Sequence, residues 1–145
     1  MGFKIRPAMI KDIPAMCRIF QNDLGYAEGT QELVEEKFSK LNQEREAVFV
    51  AVADTAIVGV IHVEKYDVLY FPTMANILGL AVASDFRRQG IGKALLARAE
   101  QWAKENGIVQ MRLNSGGTRK EAHEFYRALG YNDEKTQLRF VKVLN

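Results

Sequence analysis

A single mixed α/β domain is the fold class this sequence predicts, and three observations predict it. Segments rich in β-branched residues alternate with segments of helical period. No linker, repeat or low-complexity tract separates them. The 145 residues, 48% of them hydrophobic, fit one buried core, so residues 1–145 are read as one domain.

FKIRP near the start reads as a short strand, and Asp12 as the N-cap of a helix whose Ile13, Met16, Cys17 and Phe20 follow one face. After the loop NDLGYAEG, Thr30 precedes a second amphipathic helix carrying Val34, Phe38 and Leu41; loop and helix are candidates for a lid. AVFVAVA and AIVGVIHVEKY, separated by Asp54-Thr55, predict an antiparallel hairpin. MANILGLAV is a further strand, and Gly79 within it signals a bulge or a close backbone approach, because glycine gives up packing and chain entropy there.

From Gly90 to Asn106 the positions Ile91, Ala94, Leu95, Ala99, Trp102 and Ala103 hold the helical period, and Gly107 supplies the stop. IVQMRLN alternates Val109, Met111 and Leu113 against Gln110 and Arg112, a strand with one buried face that completes a βαβ unit. SGG is a turn. Thr118 with Glu121 fits a capping box, opening a helix through Ala122, Phe125, Tyr126 and Leu129 that Gly130 ends. LRFVKVL predicts a last strand.

Composition narrows the function. A net charge of +2 and a pI near 8.7 are too mild to argue for nucleic acid, so any basic function is local. One cysteine, Cys17, excludes an internal disulfide, and with only His62 and His123 beside it no zinc-ligand spacing is recognisable. Cys17 lies on a helical apolar face and is expected to be structural. A reducing cytoplasm and no metal are the expectations. No apolar run approaches the ~18 residues of a membrane span, the opening MGFKIRP lacks a secretory core, and Arg6 occupies the place where a myristoylation site needs Ser or Thr.

RRQGIG, residues 87–92, stands between a strand and the longest helix. A helix start exposes N–H groups without intrahelical partners and carries roughly half a positive charge. Gly90 and Gly92 admit an anion to the backbone, and Arg87, Arg88 and Lys93 add mobile charge, so a diphosphate is the natural guest. A Walker loop would need Gly at 87 and Ser or Thr at 94, which are Arg87 and Ala94. A dinucleotide fingerprint would need a small residue at Leu95 and an acid near Arg112-Leu113-Asn114.

LGLAVASDFRRQGIGKALL resembles the acyl-CoA motif of the GNAT superfamily of N-acetyltransferases, Arg/Gln-x-x-Gly-x-Gly/Ala after an apolar strand, with Arg87, Gly90 and Gly92 in the motif places. AHEFYRALGY resembles that family's closing helix, and the order of elements agrees over nearly the whole chain. The resemblance implies a central, mostly antiparallel twisted sheet with about four helices, splayed where the coenzyme lies. It implies acetyl-CoA as co-substrate, its pyrophosphate on the amides of Gln89, Gly90, Ile91, Gly92 and Lys93 beside Arg87 and Arg88. Its pantetheine arm would lie along Leu80, Ala81 and Val82, with Asn114 and Arg119 near the coenzyme.

Acetyl transfer to an amine needs a neutral nucleophile, a stabilised oxyanion and a protonated leaving sulfur. A lysine-like amine with pKa ~10.4 costs on the order of 4–5 kcal/mol to present neutral at pH 7, so a base or a water chain to one is expected. By resemblance Tyr126 is the acid at the sulfur, and His123, one turn earlier, contacts the coenzyme or relays a proton. The family often carries a Glu where this chain reads Met74-Ala75-Asn76-Ile77. His62 and Glu64 share a strand face and are the alternatives for the base, acting through water; without a cysteine pair, H-x-E here is no deaminase signature. Tyr26 and Glu28 stand where acceptor pockets are lined, and an acid there favours a cationic amine.

The expected activity is N-acetylation of a small-molecule or peptide amine by direct attack in a ternary complex. The partners expected are that amine and, by analogy with the family, a second copy in a homodimer; no nucleic acid and no membrane are expected. The rival from another class is a non-catalytic acyl-CoA-binding regulator of the same fold. A nucleic-acid module using Arg87, Arg88, Lys93 and Arg119 is the third, and it predicts binding that weakens steeply with salt.

Overall fold

The computed structural model describes residues 2–133 and 135–145. The chain divides into two compact units, residues 1–113 and 114–145.

The first unit is built on a five-stranded sheet in the order β1 (Lys4–Pro7), β2 (Glu46–Ala53), β3 (Ala56–Val68), β4 (Phe71–Val82) and β5 (Met111–Leu113). β1 to β4 pair antiparallel and β5 joins β4 in parallel, so the sheet is mixed and mostly antiparallel, as the sequence predicts. The β2–β3 hairpin turns at Asp54, whose φ of 55° is the left-handed conformation such turns need. A register shift at Ala51/Val52 changes the pairing of everything beyond it.

One face of the sheet is covered by α3 (Ile91–Glu105), which buries Ile91, Leu95, Leu96, Ala99, Trp102 and Ala103. Gly59 is required there: a Cβ would lie 2.9 Å from a Leu95 methyl and 3.1 Å from Ile91. The other face meets α1 (Ile13–Asn22), whose Ile13, Met16, Cys17 and Ile19 bury against Val50, Val60 and Ala81. Val34 and Phe38 of α2 (Gln31–Ser39) pack against the same cluster. Burial raises the pKa of the Cys17 thiol, with Glu35 adding to the effect, so the group stays protonated and structural.

Asp12 is the N-cap residue of α1, as predicted, but its side chain makes no capping bond to that helix; its carboxylate accepts from the Met9 amide at 2.7 Å and from Arg6 at 2.7 and 2.9 Å, so it closes the 3-10 turn at Ile10–Asp12 instead. Thr30 does cap α2, accepting from Leu33 N–H at 3.2 Å.

The second unit holds α4 (Lys120–Ala128). Its N-cap is Arg119 and no side chain caps it, so the capping box expected at Thr118 and Glu121 does not form. The strand expected over 138–144 is absent as well: residues 135–145 carry no regular structure, and Leu138, Phe140, Val141, Val143 and Leu144 are exposed. Alternation fits these residues for a strand, but a strand also needs an edge to pair with. The predicted strand over 108–114 shortens to Met111–Leu113 for the same reason, since only Ala75, Asn76 and Ile77 pair with it.

Candidate functional site

β4 pairs with β5 only at Ala75–Ile77, whereas its pairing with β3 continues to Val82. From Leu78 onward the edge of β4 that faces away from β3 has no ladder partner among the described strands. Leu80, Ala81 and Val82 lie on that open stretch, as expected of an edge that offers backbone groups to an extended ligand. The register between β3 and β4 slips at His62/Val63, where Leu78 is the extra residue, so the bulge signalled by Gly79 lies directly beside it.

The chain then runs through a 3-10 turn, Ser84–Phe86, into RRQGIG. Arg88 has φ 65° and Gly90, the N-cap of α3, has φ 83°. Among the described residues no hydrogen bond is made by the N–H groups of Gly90, Ile91, Gly92 and Lys93; the first α3 bond is Ala94 N–H to the Gly90 carbonyl. A Cβ placed at Gly90 would meet nothing within 4 Å, so the space beside Gly90 is open. Arg87, Arg88, Gln89, Gly90 and Lys93 are exposed around it. Unpaired amides, a helix N-terminus and three mobile cations suit a diphosphate, so the residues fit the coenzyme that the motif implies. Asp23, at the end of α1, secures the approach: its carboxylate accepts from Ser84 N–H at 3.0 Å and lies 3.7 Å from the Arg87 guanidinium.

Glu64 lies on the α1 face of the sheet in a row that crosses four strands. Glu46 stands opposite Glu64, Glu64 opposite Asn76 and Asn76 opposite Arg112. The Asn76 amide donates to Glu64 at 2.8 Å, and its carbonyl oxygen accepts from Arg112 at 2.8 Å. Arg112 also stacks over the Tyr66 ring at 4.2 Å. His62, one pleat away on the same face, meets the Glu46 carboxylate at 2.7 Å. Glu46, Asn76 and Arg112 are therefore site-face residues that sequence reasoning missed. Tyr26 and Glu28 are exposed on the loop after α1. Leu24, which opens that loop, is the atom contact nearest to a Cβ at Gly79, 3.6 Å away.

Within residues 114–145, His123 does not stand free. Its Nε2–H donates to the Gly116 carbonyl at 2.8 Å and pins the glycine turn. Burial holds the Tyr126 hydroxyl above its ordinary pKa, against a smaller opposing pull from Arg119. Its ring meets Phe125 and Tyr131 edge-on at 5.1 and 5.9 Å. Asn114 and Arg119 are exposed. Among the described residues no group of three or more His, Cys, Asp or Glu is placed to hold a metal ion, and no helix is long and apolar enough to cross a membrane.

Comparison with known proteins decides between the families that use such a corner. Residues 13–131 match the model of the acetyltransferase (GNAT) family, covering both units. The chain belongs to the acetyltransferase (GNAT) family. An uncharacterised N-acetyltransferase of Chlorobaculum tepidum is 29% identical over 132 residues, 89% of this chain and 75% of that protein. Other curated relatives match over shorter stretches, 30% to 47% of their own length. Among solved structures, a transcriptional regulator from Bacillus halodurans C-125 aligns with a TM-score of 0.85 at 25% identity, covering 97% of this chain and all of that one. An aminoglycoside acetyltransferase from an uncultured soil metagenomic sample, in complex with sisomicin, aligns with a TM-score of 0.79 at 26% identity, covering 99% of this chain and 97% of that one.

Proposed function

We propose that this GNAT-family protein transfers the acetyl group of acetyl-CoA to the primary amine of a small acceptor, by direct attack in a ternary complex and without a covalent enzyme intermediate. The observation that carries the reading is the set of unpaired N–H groups from Gly90 to Lys93, where a left-handed Gly90 opens α3 a few residues after the open edge of β4.

In this reading the amides of Gln89 to Lys93, with Arg87 and Arg88, hold the pyrophosphate; Leu80, Ala81 and Val82 hold the pantetheine; Asn114 and Arg119 complete the coenzyme contacts. Acetyl-CoA supplies a thioester whose sulfur is the leaving group. Tyr126 serves as the acid at that sulfur, and its raised pKa keeps the hydroxyl protonated at neutral pH, as a donor requires. His123 serves by fixing the turn at Gly116. Tyr26 and Glu28 line the acceptor side, where an acid favours a cationic amine. The sisomicin-bound relative supports a small amine as the acceptor class. Residues 1–145 act in this reading as one acetyltransferase domain, in the reducing compartment that a lone buried cysteine suits, and as a homodimer, which the exposed apolar side chains over 138–144 support.

The test is release of free thiol from acetyl-CoA in the presence of a panel of primary amines, with coenzyme binding followed by calorimetry. Thiol release that requires an amine supports the transferase. Coenzyme binding with no thiol release for any amine favours a non-catalytic regulator, a reading that likeness to the Bacillus halodurans regulator keeps in play. Replacing both Arg87 and Arg88 by Ala is expected to weaken coenzyme binding about 10- to 100-fold, as loss of charge-assisted phosphate contacts would.

A further inference from the structure

The acceptor amine must lose a proton, and the stretch Met74-Ala75-Asn76-Ile77, where the family often carries a Glu, holds no carboxylate. Two groups on the α1 face stand close to it, and their partners differ. Glu64 receives the Asn76 amide on one oxygen, and Asn76 in turn receives Arg112, so this carboxylate is tied into the polar row. His62 meets Glu46 through Nε2 at 2.7 Å. A carboxylate on Nε2 fixes the N–H there and leaves the lone pair on Nδ1, the form in which imidazole accepts a proton.

Ordinary basicity decides between them. Imidazole, at pKa ~6.5, is about two units closer to an ammonium group than a carboxylate at ~4.3, which makes it roughly a hundredfold better proton acceptor. Glu46 then stabilises the imidazolium that forms. Access is provided by Gly79, which stands directly opposite His62 on β4. It has no side chain to fill the floor, and only Leu24 approaches the place where a Cβ would be. Gly79 also lies on the open edge of β4, so His62 adjoins the segment along which the acyl arm lies in the reading above. His62 and Glu46 keep 32% and 25% of their side-chain surface exposed, so water and a small amine can reach them. Charged groups on this face include Arg6 on β1, paired with Asp12 at the start of α1, as well as Glu46 on β2, Glu64 on β3 and Arg112 on β5. The α1 and α2 residues packed against the adjoining core, Phe20, Leu24, Val34 and Phe38, are apolar.

We propose that His62 takes the proton from the acceptor amine, that Glu46 positions its ring, and that the acceptor is a small di- or polyamine whose second ammonium group lies against Glu64. The inference rests on the acetyltransferase reading. His62 and Glu64 are two residues apart on one strand, roughly 7 Å along it, and a four-carbon diamine sets its nitrogens a comparable distance apart. In the step, the ammonium gives one proton to Nδ1 of His62. Its nitrogen lone pair forms the C–N bond to the thioester carbonyl, and the C–S bond breaks. The sulfur leaves with the electron pair and is protonated to the thiol, the amide nitrogen sheds its surplus proton, and His62 returns its own proton to solvent.

Thiol release from acetyl-CoA with 1,4-diaminobutane and with butylamine tests this, using wild type, His62→Gln, Glu46→Gln and Glu64→Gln, each checked for folding by thermal melting. Wild type is expected to favour the diamine at least tenfold in kcat/KM. His62→Gln is expected to lose 10²- to 10⁴-fold in kcat with coenzyme affinity unchanged by calorimetry. Glu46→Gln is expected to lower kcat while leaving the KM for the amine and the coenzyme affinity unchanged. Glu64→Gln is expected to lower kcat/KM for the diamine at least tenfold more than it lowers kcat/KM for butylamine. A His62→Gln protein with wild-type kcat and pH profile overturns the base, and equal rates on the two amines overturn the acceptor class. Wild type that binds acetyl-CoA, acetylates neither amine and shows no change in the His62 NMR titration with diamine overturns both. Absence of coenzyme binding instead fails the acetyltransferase reading itself.

Discussion

The two faces of the sheet obey different rules although they are made by the same strands. Toward α3, Gly59, Ile61, Val63, Ile77 and Leu95 are buried, and Gly59 leaves no room for even one more carbon. Toward α1 the packing is just as tight at Val50, Val60 and Ala81, but beyond them the surface turns polar at Glu46, His62, Glu64, Asn76 and Arg112. One face is filled to specify the fold. The other stops being filled beside the open edge of β4, and that is where chemistry has room.

The contrast is broken most severely by emptying the filled face. Leu95→Ala removes a fully buried side chain between α3 and β3 and should cost about 3 kcal/mol in urea unfolding. A loss below 1 kcal/mol would mean that the α3 face is looser than described. On the α1 side, a buried carboxylate, Asp12, is paired with Arg6 at 2.7 Å. Its carboxylate is held below the usual range, first by the Arg6 hydrogen bond and also by the Met9 amide, against the opposing cost of burial. Asp12→Asn should cost about 2 kcal/mol at pH 7. Because the folded pKa is lowered, this contribution is present above the unfolded value of about 4 and is lost as pH falls through the folded value. Urea midpoints of the two proteins should therefore converge in acid; a gap that persists unchanged at low pH would contradict the assignment.

Smaller effects sharpen the comparison. Gly90→Ala puts a Cβ at φ 83° in open space, so only backbone strain is felt, about 1 kcal/mol of stability, together with weaker coenzyme binding. Glu64→Gln, on the polar face, should change the urea midpoint by less than about 0.5 kcal/mol equivalent while altering acceptor preference. A large stability loss there would make the polar row a structural feature like the opposite face.

How much of this was legible in the sequence depends on whether a feature is local. The helix predicted from Gly90 to Asn106, observed over Ile91–Glu105, and the turn at Asp54-Thr55 follow from period and local chemistry, and they appear where those place them. The polar row does not, because it is made by register. Counting back from the hairpin turn, where Ala53 faces Ala56, sets Glu46 opposite Val63; the bulge at Ala51/Val52 moves it by one residue to Glu64 and onto the site face. Asn76 and Arg112 join through a second slip beside Leu78 and a parallel pairing that no alternation pattern reveals. The terminal segment shows the converse: LRFVKVL alternates as a strand should, yet pairing is a property of two segments, and these residues form none.

The most direct measurement is an amide NMR titration of the isotope-labelled protein with CoA, with inorganic phosphate at the same ionic strength as control. The account predicts that the largest shifts, saturating with CoA, fall on the N–H groups of Gln89 to Lys93, with smaller shifts along Leu80 to Val82. Saturable CoA binding that leaves those five amides unmoved, or shifts that phosphate alone reproduces in full, would contradict it.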